Sequence, residues 1–549
     1  MKKHITRLLF AALLLLALCI GASAAGTSGK CGPSAYWSFD SSTGTLTISG
    51  SGAMNDCVFQ WGDPDPRPWS AYLSEIKTVV IGDSITKIGK ESFSSLSCTT
   101  VRIGKNVQVI GENAFMNCTS LTGDLVIPDS VTTIDRWAFF GSVISNGTLT
   151  LGKGLRTIGE RAFTDCSFSG GLTIPEGVTE IAEGAFCSSS KYSGSPAHGK
   201  ITGTLTLPST LKTIGAYAFA YEGFSGELLI PDGVTCIGAN AFAECDGFGG
   251  TLSLPDSVKT VGEWAFYQCE GFTGLKLPAG LTKIEKLSFA FMAGLKTEVA
   301  IPEGVTEIGE GAFECSYMPS VRLPSTLKKI EKQAFMHAHN LTKITLPDGL
   351  ETIGDEAFFA CHFINAVILP ASIKSIGKKA FDREWKSNAN LNELPVGVYF
   401  LGAAPQIVGT PNDDCSFPSD WTLYYLPGTS GWTGDTYAGY KIALWDGETR
   451  WDNPHTRRFG YDVRGYEIET SWSVNTDTGK VTLTDDLNEG CVVAVSYDAE
   501  GRVTSIGVLR TKKDFVILNL QDTCRLFLLN ASSAPRLNTP ITINDYLQT

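Results

Sequence analysis

One short pattern dominates the chain, and it recurs thirteen times between residues 76 and 381. It consists of an aliphatic residue, a second aliphatic three positions later and a phenylalanine five positions after that. Neighbouring phenylalanines lie 22 to 24 residues apart, except for one step of 33 that holds an insertion at residues 188–200. A fixed period of this length is typical of a solenoid. The phenylalanines are Phe93, Phe115, Phe139, Phe163, Phe186, Phe219, Phe242, Phe266, Phe289, Phe313, Phe335, Phe358 and Phe381.

Most repeats begin with a short apolar strand that ends at proline, such as Leu125-Val126-Ile127-Pro128. Alternation places its outer two residues in the core, and proline ends the strand because it has no N–H. After a turn, a second β-branched segment such as Val178-Thr179-Glu180-Ile181 leads into the phenylalanine. Alanine precedes that phenylalanine in eleven copies, and Ser92 and Ser288 are the exceptions. We therefore predict a β-rich solenoid with its phenylalanines stacked along one spine.

The repeat unit L-x-I-P-x-x-V-x-x-I-G-x-x-A-F-x-x-C resembles the BspA-like leucine-rich repeats of bacterial surface proteins. The resemblance covers about residues 76–381, over half of the chain. Residues 31–54 and 424–432 also resemble segments that often open and close such arrays. The resemblance implies a leucine-rich-repeat solenoid of about 13 repeats and adhesion to host proteins or other cells. It implies no particular partner.

The first residues are predicted to be a secretory signal and not part of the fold. Lys2-Lys3 precedes an apolar run at residues 8–20, and Ala22-Ser23-Ala24 is a small-residue cleavage site. The run is too short for an ordinary membrane span. A lipoprotein signal requires a small residue directly before its cysteine, but Leu18 precedes Cys19. Cleavage near Ala24 is therefore favoured over lipid attachment. We expect a secreted or extracellular protein, released or noncovalently associated with the cell surface.

Five segments are predicted along the chain: a signal peptide (1–24), an N-terminal cap (25–75), the solenoid (76–397), a C-terminal cap (398–446) and a linker with an accessory module (447–549). Caps are expected because the ends of a solenoid expose its core. Short alternating runs, such as residues 492–497 and 503–508, predict that the module is a small antiparallel β-sandwich. Cys31 and Cys57 flank the N-terminal cap, and a disulfide between them and two free thiols are both open interpretations.

Composition and motifs weigh against several functions. The net charge of −13 is the wrong sign for a general nucleic-acid or anionic-membrane surface, because both need a positive field. The sequence holds no G-x-S-x-G, H-E-x-x-H, Walker A or G-x-G-x-x-G motif. Its carboxylates are spread over turn positions without a convergent pair. We predict a protein that is not an enzyme and needs no cofactor.

Two sets of metal-capable residues have competing interpretations. His339 and His362 occupy equivalent positions of adjacent repeats with His337 nearby, so they either bind a transition metal or are ordinary turn side chains. The second interpretation is favoured, and no metal is predicted. Five cysteines lie three residues after the phenylalanine, where a ladder of buried free thiols is favoured over disulfides. They are Cys118, Cys166, Cys245, Cys269 and Cys361.

Candidate binding residues lie at the positions that vary between repeats. Aromatic rings just before the Ala-Phe pair can stack on sugars or anchor a protein. The insertion carries one further aromatic residue. The outward-facing residues of the first strand become basic near the end of the row. These candidates are Trp137, Tyr217, Trp264, Tyr192, Lys276 and Arg322. We expect the partner to be a protein of a host or neighbouring cell, or a glycan. The alternative is a carbohydrate-recognition or scaffold component of a secreted polymer-degrading system.

Overall fold

A computed structural model describes residues 27–444, except 61, 146, 189–200, 365, 384–396 and 410–414, together with six strands between residues 472 and 530. Strands and turns make up this part of the chain, and its helical content is one 3₁₀ turn at Ser70–Tyr72. Contacts divide the chain into two units. The first is Met1–Ile364, Ser372–Ser387 and Pro405–Ser419, and the second is Asn365–Ala371, Asn388–Ala404 and Asp420–Thr549. Among the described residues, no helix is long and apolar enough to cross a membrane.

The first unit opens with a five-stranded sheet in which pairing changes from antiparallel to parallel. In spatial order its strands are Ser28–Lys30, Ala35–Asp40, Thr45–Gly50, Thr78–Ile81 and Thr100–Arg102. The first three pair antiparallel as a meander, and the last two add in parallel. Alternate residues of the hairpin, Ala35, Trp37 and Phe39, are buried. The hairpin therefore begins the stack onto which the repeats add.

The strand that precedes the proline, called the first strand, pairs in parallel with its counterpart in the next repeat. Leu125 pairs with Leu149 in this way. Leu125 is 3% exposed and Val126 is 55% exposed, so the predicted alternation is confirmed. Further first strands are Leu125–Val126, Leu149–Thr150, Leu172–Thr173, Leu205–Thr206, Gly226–Leu229, Phe248–Ser253, Phe272–Lys276, Val299–Ala300, Ser320–Arg322 and Lys343–Ile344.

The strand that ends five residues before the phenylalanine, called the second strand, forms parallel ladders of its own, with Ile134 paired to Ile158. These strands are Ile85–Ile88, Val109–Ile110, Thr133–Ile134, Thr157–Ile158, Glu180–Ile181, Thr213–Ile214, Cys236–Ile237, Thr260–Val261, Lys283–Ile284, Glu307–Ile308, Lys329–Ile330, Thr352–Ile353 and Ser375–Ile376. Gly52–Ala53 pairs with the first of them and Gln406–Ile407 with the last, although neither is followed by a phenylalanine at this spacing. Two shorter parallel pairs follow the turns, Leu121–Thr122 with Ile144–Ser145 and Thr202–Gly203 with Gly223–Phe224.

The predicted phenylalanine spine is present. The rings of Phe163 and Phe186 lie 5.2 Å apart between centroids and 1° from parallel. The 33-residue step from Phe186 to Phe219 keeps a spacing of 5.6 Å, so the insertion leaves the stack intact. The stack also extends beyond the sequence pattern, to Trp69 at one end and Phe417 at the other. Burial of each ring contributes about 1.5–3 kcal/mol before the entropic cost of ordering it.

Most turns around a spine phenylalanine use left-handed backbone on both sides of the ring. Around Phe115, Asn113 has a φ of 55° and Asn117 a φ of 58°. The N–H groups of Phe115 and Asn117 donate to the carbonyls of Ala138 and Phe140 in the next repeat, each at 2.7 Å. The turns therefore form a hydrogen-bonded ladder of their own, which satisfies backbone groups that regular strands do not cover.

The two serines that replace alanine before the phenylalanine are fully buried and hydrogen-bonded. The Oγ of Ser92 donates to the carbonyl of Gly89, and that of Ser288 to the carbonyl of Glu285, both at 2.9 Å. A buried hydroxyl without such a partner would cost about 1–3 kcal/mol. These two bonds explain why serine is tolerated at a position that otherwise holds alanine.

The second unit contains a parallel sheet and two antiparallel ones. Ala366–Leu369, Gly397–Phe400, Thr422–Tyr425 and Tyr440–Leu444 pair in parallel, and Thr436–Tyr437 adds antiparallel to the last. One three-stranded antiparallel sheet consists of Trp472–Asn475, Lys480–Leu483 and Asp514–Val516. The other consists of Val503–Arg510, Gly490–Tyr497 and Cys524–Asn530. The β-sandwich arrangement of this module and the five segment boundaries stay predictions.

Candidate functional site

The three aromatic residues that precede an Ala-Phe pair all occupy left-handed turn positions. Trp137, Tyr217 and Trp264 have φ values of 56°, 56° and 61°. Tyr217 is 39% exposed, and the two tryptophans are half-buried. Trp137 lies three repeats before Tyr217, which in turn lies two repeats before Trp264. The structure therefore brings Tyr217 and Trp264 into one region of the turns and leaves Trp137 outside it.

Trp137 is engaged within its own turn. The guanidinium carbon of Arg136 lies 3.8 Å from the centre of the indole ring, a close cation–π contact. The Nε of Arg136 lies 3.7 Å from a carboxylate oxygen of Glu160 in the next repeat. The indole N–H is buried and has no hydrogen-bond partner among the described residues. Because Arg136 covers one ring face, Trp137 is a weaker candidate for stacking on a ligand.

Around Trp264 the turns carry a group of contacting aromatic rings. Its ring centroid lies 4.6 Å from that of Tyr267, which lies 5.1 Å from that of Phe291 in the next repeat. The ring of Tyr267 also packs against a buried group from earlier repeats, which consists of Cys187, Ala220, Tyr221 and Ala243. We call the rings of Trp264, Tyr267 and Phe291, together with Tyr217 at the equivalent turn position two repeats before Trp264, the turn-face cluster. The sequence analysis missed Tyr267 and Phe291, although each directly follows or nearly follows a spine phenylalanine.

One row of charged turn residues is interrupted beside Tyr217. Three residues before the spine phenylalanine, most repeats hold a charged side chain that pairs with its neighbour, as in Lys90–Glu112 at 2.9 Å and Lys286–Glu310 at 3.1 Å. The repeat of Tyr217 and the repeat that follows it hold Ala216 and Ala239 at this position. The row of charges at this position is therefore interrupted beside Tyr217, and it resumes at Glu263, directly before Trp264.

The predicted basic row of the first strand is only partly basic. Lys276 and Arg322 are both exposed and lie two repeats apart, with Ala300 between them. The Nε of Arg322 lies 3.4 Å from a carboxylate oxygen of Glu298, which offsets its charge. Elsewhere the row presents apolar residues such as Leu229, which is 67% exposed. Lys276 and Arg322 do not form one cationic site.

The insertion candidate, Tyr192, lies outside the described residues. The chain that follows the insertion is held by a buried carboxylate. Glu222 is fully buried, and its Oε2 accepts a hydrogen bond from the N–H of Ile201 at 2.6 Å. Glu222 takes the position that cysteine or serine occupies in other repeats. The hydrogen bond to Glu222 therefore holds Ile201, the first residue after the insertion, in the array.

The histidines stack in the way that their spacing predicts. The rings of His339 and His362 lie 5.2 Å apart and 2° from parallel, and His337 lies 5.3 Å from His339. The nitrogen lone pairs of an imidazole lie in its ring plane, so two parallel stacked rings cannot both direct a lone pair at one metal ion. Among the described residues, no group of three or more His, Cys, Asp or Glu side chains is arranged to hold a metal.

The cysteine ladder consists of buried free thiols, as predicted. Each Sγ donates to the carbonyl of the spine phenylalanine one repeat earlier, as Cys269 does to Phe242 and Cys361 to Phe335, both at 3.1 Å. Burial raises the pKa of the Cys269 thiol, and likewise that of Cys361, to about 12. Ser142 fills the same position and donates in the same way. The ladder is therefore a structural feature.

Cys31 and Cys57 of the N-terminal region are likewise buried free thiols in the structure. Burial, and to a smaller extent the proximity of Cys57, raises the pKa of the Cys31 thiol to about 12. The backbone brings the two segments together, because the N–H of Asn55 donates to the carbonyl of Cys31 at 2.7 Å. Of the two open interpretations for this pair, the structure corresponds to the free thiols.

Comparisons with known proteins give one family and several similar structures. The family model described as "BspA type Leucine rich repeat region (6 copies)" matches residues 86–194, 198–316 and 288–394. A leucine-rich repeat protein from Bacteroides ovatus is 19% identical, with 71% of this chain and 98% of that chain covered and a TM-score of 0.44. One from Eubacterium ventriosum is 22% identical, with 67% and 98% covered and a TM-score of 0.34. The pneumococcal vaccine antigen PcpA is 18% identical, with 76% and 99% covered and a TM-score of 0.36. The comparison with curated proteins gives no match.

Proposed function

Because the chain belongs to the BspA-type leucine-rich repeat family, whose repeats match more than half of it, we propose that it is an extracellular protein that binds other proteins through the surface of its solenoid. The signal predicted at residues 1–24 supports the extracellular location. So does the likeness of the repeat unit to those of bacterial surface proteins. The proposed partner is a protein of a host or neighbouring cell, in keeping with an adhesive role.

The turn-face cluster is the observation that carries this proposal. Its rings lie at turn positions that the spine leaves free to vary, and Tyr217 is well exposed. Aromatic side chains of this kind supply most of the energy at protein interfaces, since they bury a large area with few rotatable bonds. The missing ion pairs at Ala216 and Ala239 reduce the charge that a partner would have to desolvate. We propose that an apolar segment of the partner docks on this cluster.

The proposal assigns no reaction to the chain. In the described solenoid, the groups that could act as nucleophiles or acids serve the fold instead. The ladder thiols donate to backbone carbonyls, and Ser92 does the same. Exposed charges pair between repeats, as Lys283 does with Glu307 at 3.2 Å. A non-catalytic binding protein accounts for these arrangements without a catalytic site.

The experiment compares two faces of the solenoid. Purified protein is tested by surface plasmon resonance against immobilised fibronectin, laminin and collagen. A double variant, Tyr217→Ser with Trp264→Ser, is expected to weaken the strongest binding by about 30-fold, the effect of losing a hot spot worth 2 kcal/mol. Leu229→Ser, on the exposed row of the first strand, is the matched control and should leave that binding unchanged. Circular dichroism confirms that each variant is folded.

Two results would count against this assignment. Unchanged binding by the double variant would remove the turn-face cluster from the interface. A loss caused by Leu229→Ser alone would place the interface on the first-strand row. The alternative function, carbohydrate recognition, depends on a different part of the surface, a depression beside Tyr317.

A further inference from the structure

A shallow open depression of about 400 Å³ crosses four successive repeats of the first unit. Its wall includes Lys296, Tyr317, Asn340, Thr342 and Phe363. These residues lie four to seven positions after their spine phenylalanines, away from the turn positions of the turn-face cluster. The volume lies at the lower end of the range for small-molecule sites, which is enough for one sugar ring.

Two aromatic rings contribute to the depression. Phe363 is 36% exposed, and Tyr317 is half-buried. The ring of Tyr317 lies 5.7 Å from that of His339, which in turn stacks on His362 at 5.2 Å. This packing holds Tyr317 in place before any ligand arrives. One face of a pyranose consists of C–H groups, which pack favourably on the electron-rich face of an aromatic ring.

Hydrogen-bonding groups beside the rings are held by the backbone of the previous repeat. The Nδ2 of Asn340 donates to the carbonyl of Tyr317 at 3.1 Å, which fixes the amide and leaves its Oδ1 as an acceptor. The Oγ1 of Thr342 donates to the carbonyl of Pro319 at 3.3 Å, so its oxygen can also accept. Both acceptors suit the hydroxyl groups of a sugar.

Lys296 is the single charged side chain in the wall of the depression. It is exposed and forms no ion pair with any described residue. An unpaired cation beside aromatic rings and neutral acceptors matches a sugar that carries one negative charge.

We infer that this depression binds a hexuronate, a pyranose with a carboxylate. The ring packs on Tyr317 and Phe363, the hydroxyls donate to Asn340 and Thr342, and the carboxylate pairs with Lys296. A polyanionic nucleic acid is a poorer fit, because the net charge of −13 repels it. The site goes beyond the proposed protein docking and shares no residue with the turn-face cluster.

The test uses methyl glucuronide and methyl glucoside, which differ only in the carboxylate, with the full-length protein. Binding is measured by isothermal titration calorimetry and saturation-transfer NMR. The glucuronide should bind about fivefold more tightly than the glucoside, the upper range for an exposed ion pair. Lys296→Gln should remove that difference, and Tyr317→Ala should weaken both ligands by about fivefold. Lys153→Gln, an exposed lysine several repeats away, is the control and should change neither affinity.

Several outcomes would overturn the inference: no binding of either sugar, equal affinity for both, or an unchanged difference in Lys296→Gln. Displacement of the glucuronide by an equal concentration of acetate would reduce the site to a general anion site. The double variant at Tyr217 and Trp264 should bind glucuronide normally. Failure of the protein-docking proposal can therefore be distinguished from failure of this one.

Discussion

At the scale of single residues, the backbone of the turns separates positions that support the fold from positions that can vary. The spine phenylalanine and the alanine or serine before it are buried at every step, so packing restricts both positions. Two residues before and two residues after the phenylalanine, the backbone of most turns is left-handed. This conformation costs about 1–2 kcal/mol for a residue other than glycine. Those positions nonetheless hold Trp137, Tyr217 and Trp264. Polar residues such as Asn113 and Gln333 take the equivalent positions elsewhere, so the left-handed backbone accepts many kinds of side chain.

The ladder thiols give a prediction at this scale. Cys269 and Cys361 have a pKa of about 12 against an ordinary value of 9.0, because burial disfavours the thiolate. The native thiols should therefore resist iodoacetamide at pH 8, while Cys236, which is half-exposed, should react. Mass spectrometry of labelled peptides measures this, and rapid labelling of Cys269 in the folded protein would contradict it.

The raised pKa of the ladder thiols also makes the stability of the fold depend on pH. The raised pKa means that the folded state keeps Cys269 and Cys361 protonated where the unfolded chain would ionise. The contribution of the two protonated thiols to the free energy of unfolding is complete below pH 9, and it is lost as the pH rises from 9 towards 12. Thermal unfolding followed from pH 8 to pH 11 should show a falling midpoint. Replacing both residues with serine, which Ser142 shows to fit this position, should reduce the slope.

At the scale of elements, the phenylalanine spine and the parallel strand ladders stabilise each other, since each repeat contacts only its neighbours. Removal of one ring should therefore act locally. Phe266→Ala should cost about 3–5 kcal/mol, because it leaves a cavity between two stacked rings. Phe291→Ala, at the half-buried ring of the turn-face cluster, is the matched control and should cost clearly less.

Chemical denaturation measures these two costs, and hydrogen exchange locates them. Faster exchange in Phe266→Ala should be confined to the repeats next to residue 266. An equal cost for the two variants would mean that the spine does not carry the stability assigned to it, as would loss of protection along the whole array.

The sequence predicts the repeating elements well because their signals are local. Strand alternation, the proline at the strand end and the spacing of the phenylalanines each reflect a contact that every repeat makes. Trp69 and Phe417 also join the stack, but they lie outside the periodic pattern and could not be found from it. The contacts of Tyr267 with Trp264 and Phe291 depend on which side chains neighbouring repeats happen to carry. Arg136 and Trp137 are neighbours in the sequence, but the repeat pattern does not show that the guanidinium lies over the ring.

At the scale of the whole molecule, the first unit is a regular support that carries variable positions on several faces. The turn-face cluster, the first-strand row and the depression beside Tyr317 use different positions of the same repeat, so each can change without disturbing the spine. The binding face therefore has to be located by experiment.

Hydroxyl-radical footprinting of the protein in complex with the matrix protein that it binds most tightly tests the central claim most directly. Side chains that the partner covers are oxidised more slowly in the complex than in the free protein. The account predicts protection of Tyr217, Trp264, Tyr267 and Phe291, with Val126 and Leu229 unchanged. Protection of Val126 and Leu229 with full oxidation of the turn-face cluster would contradict it.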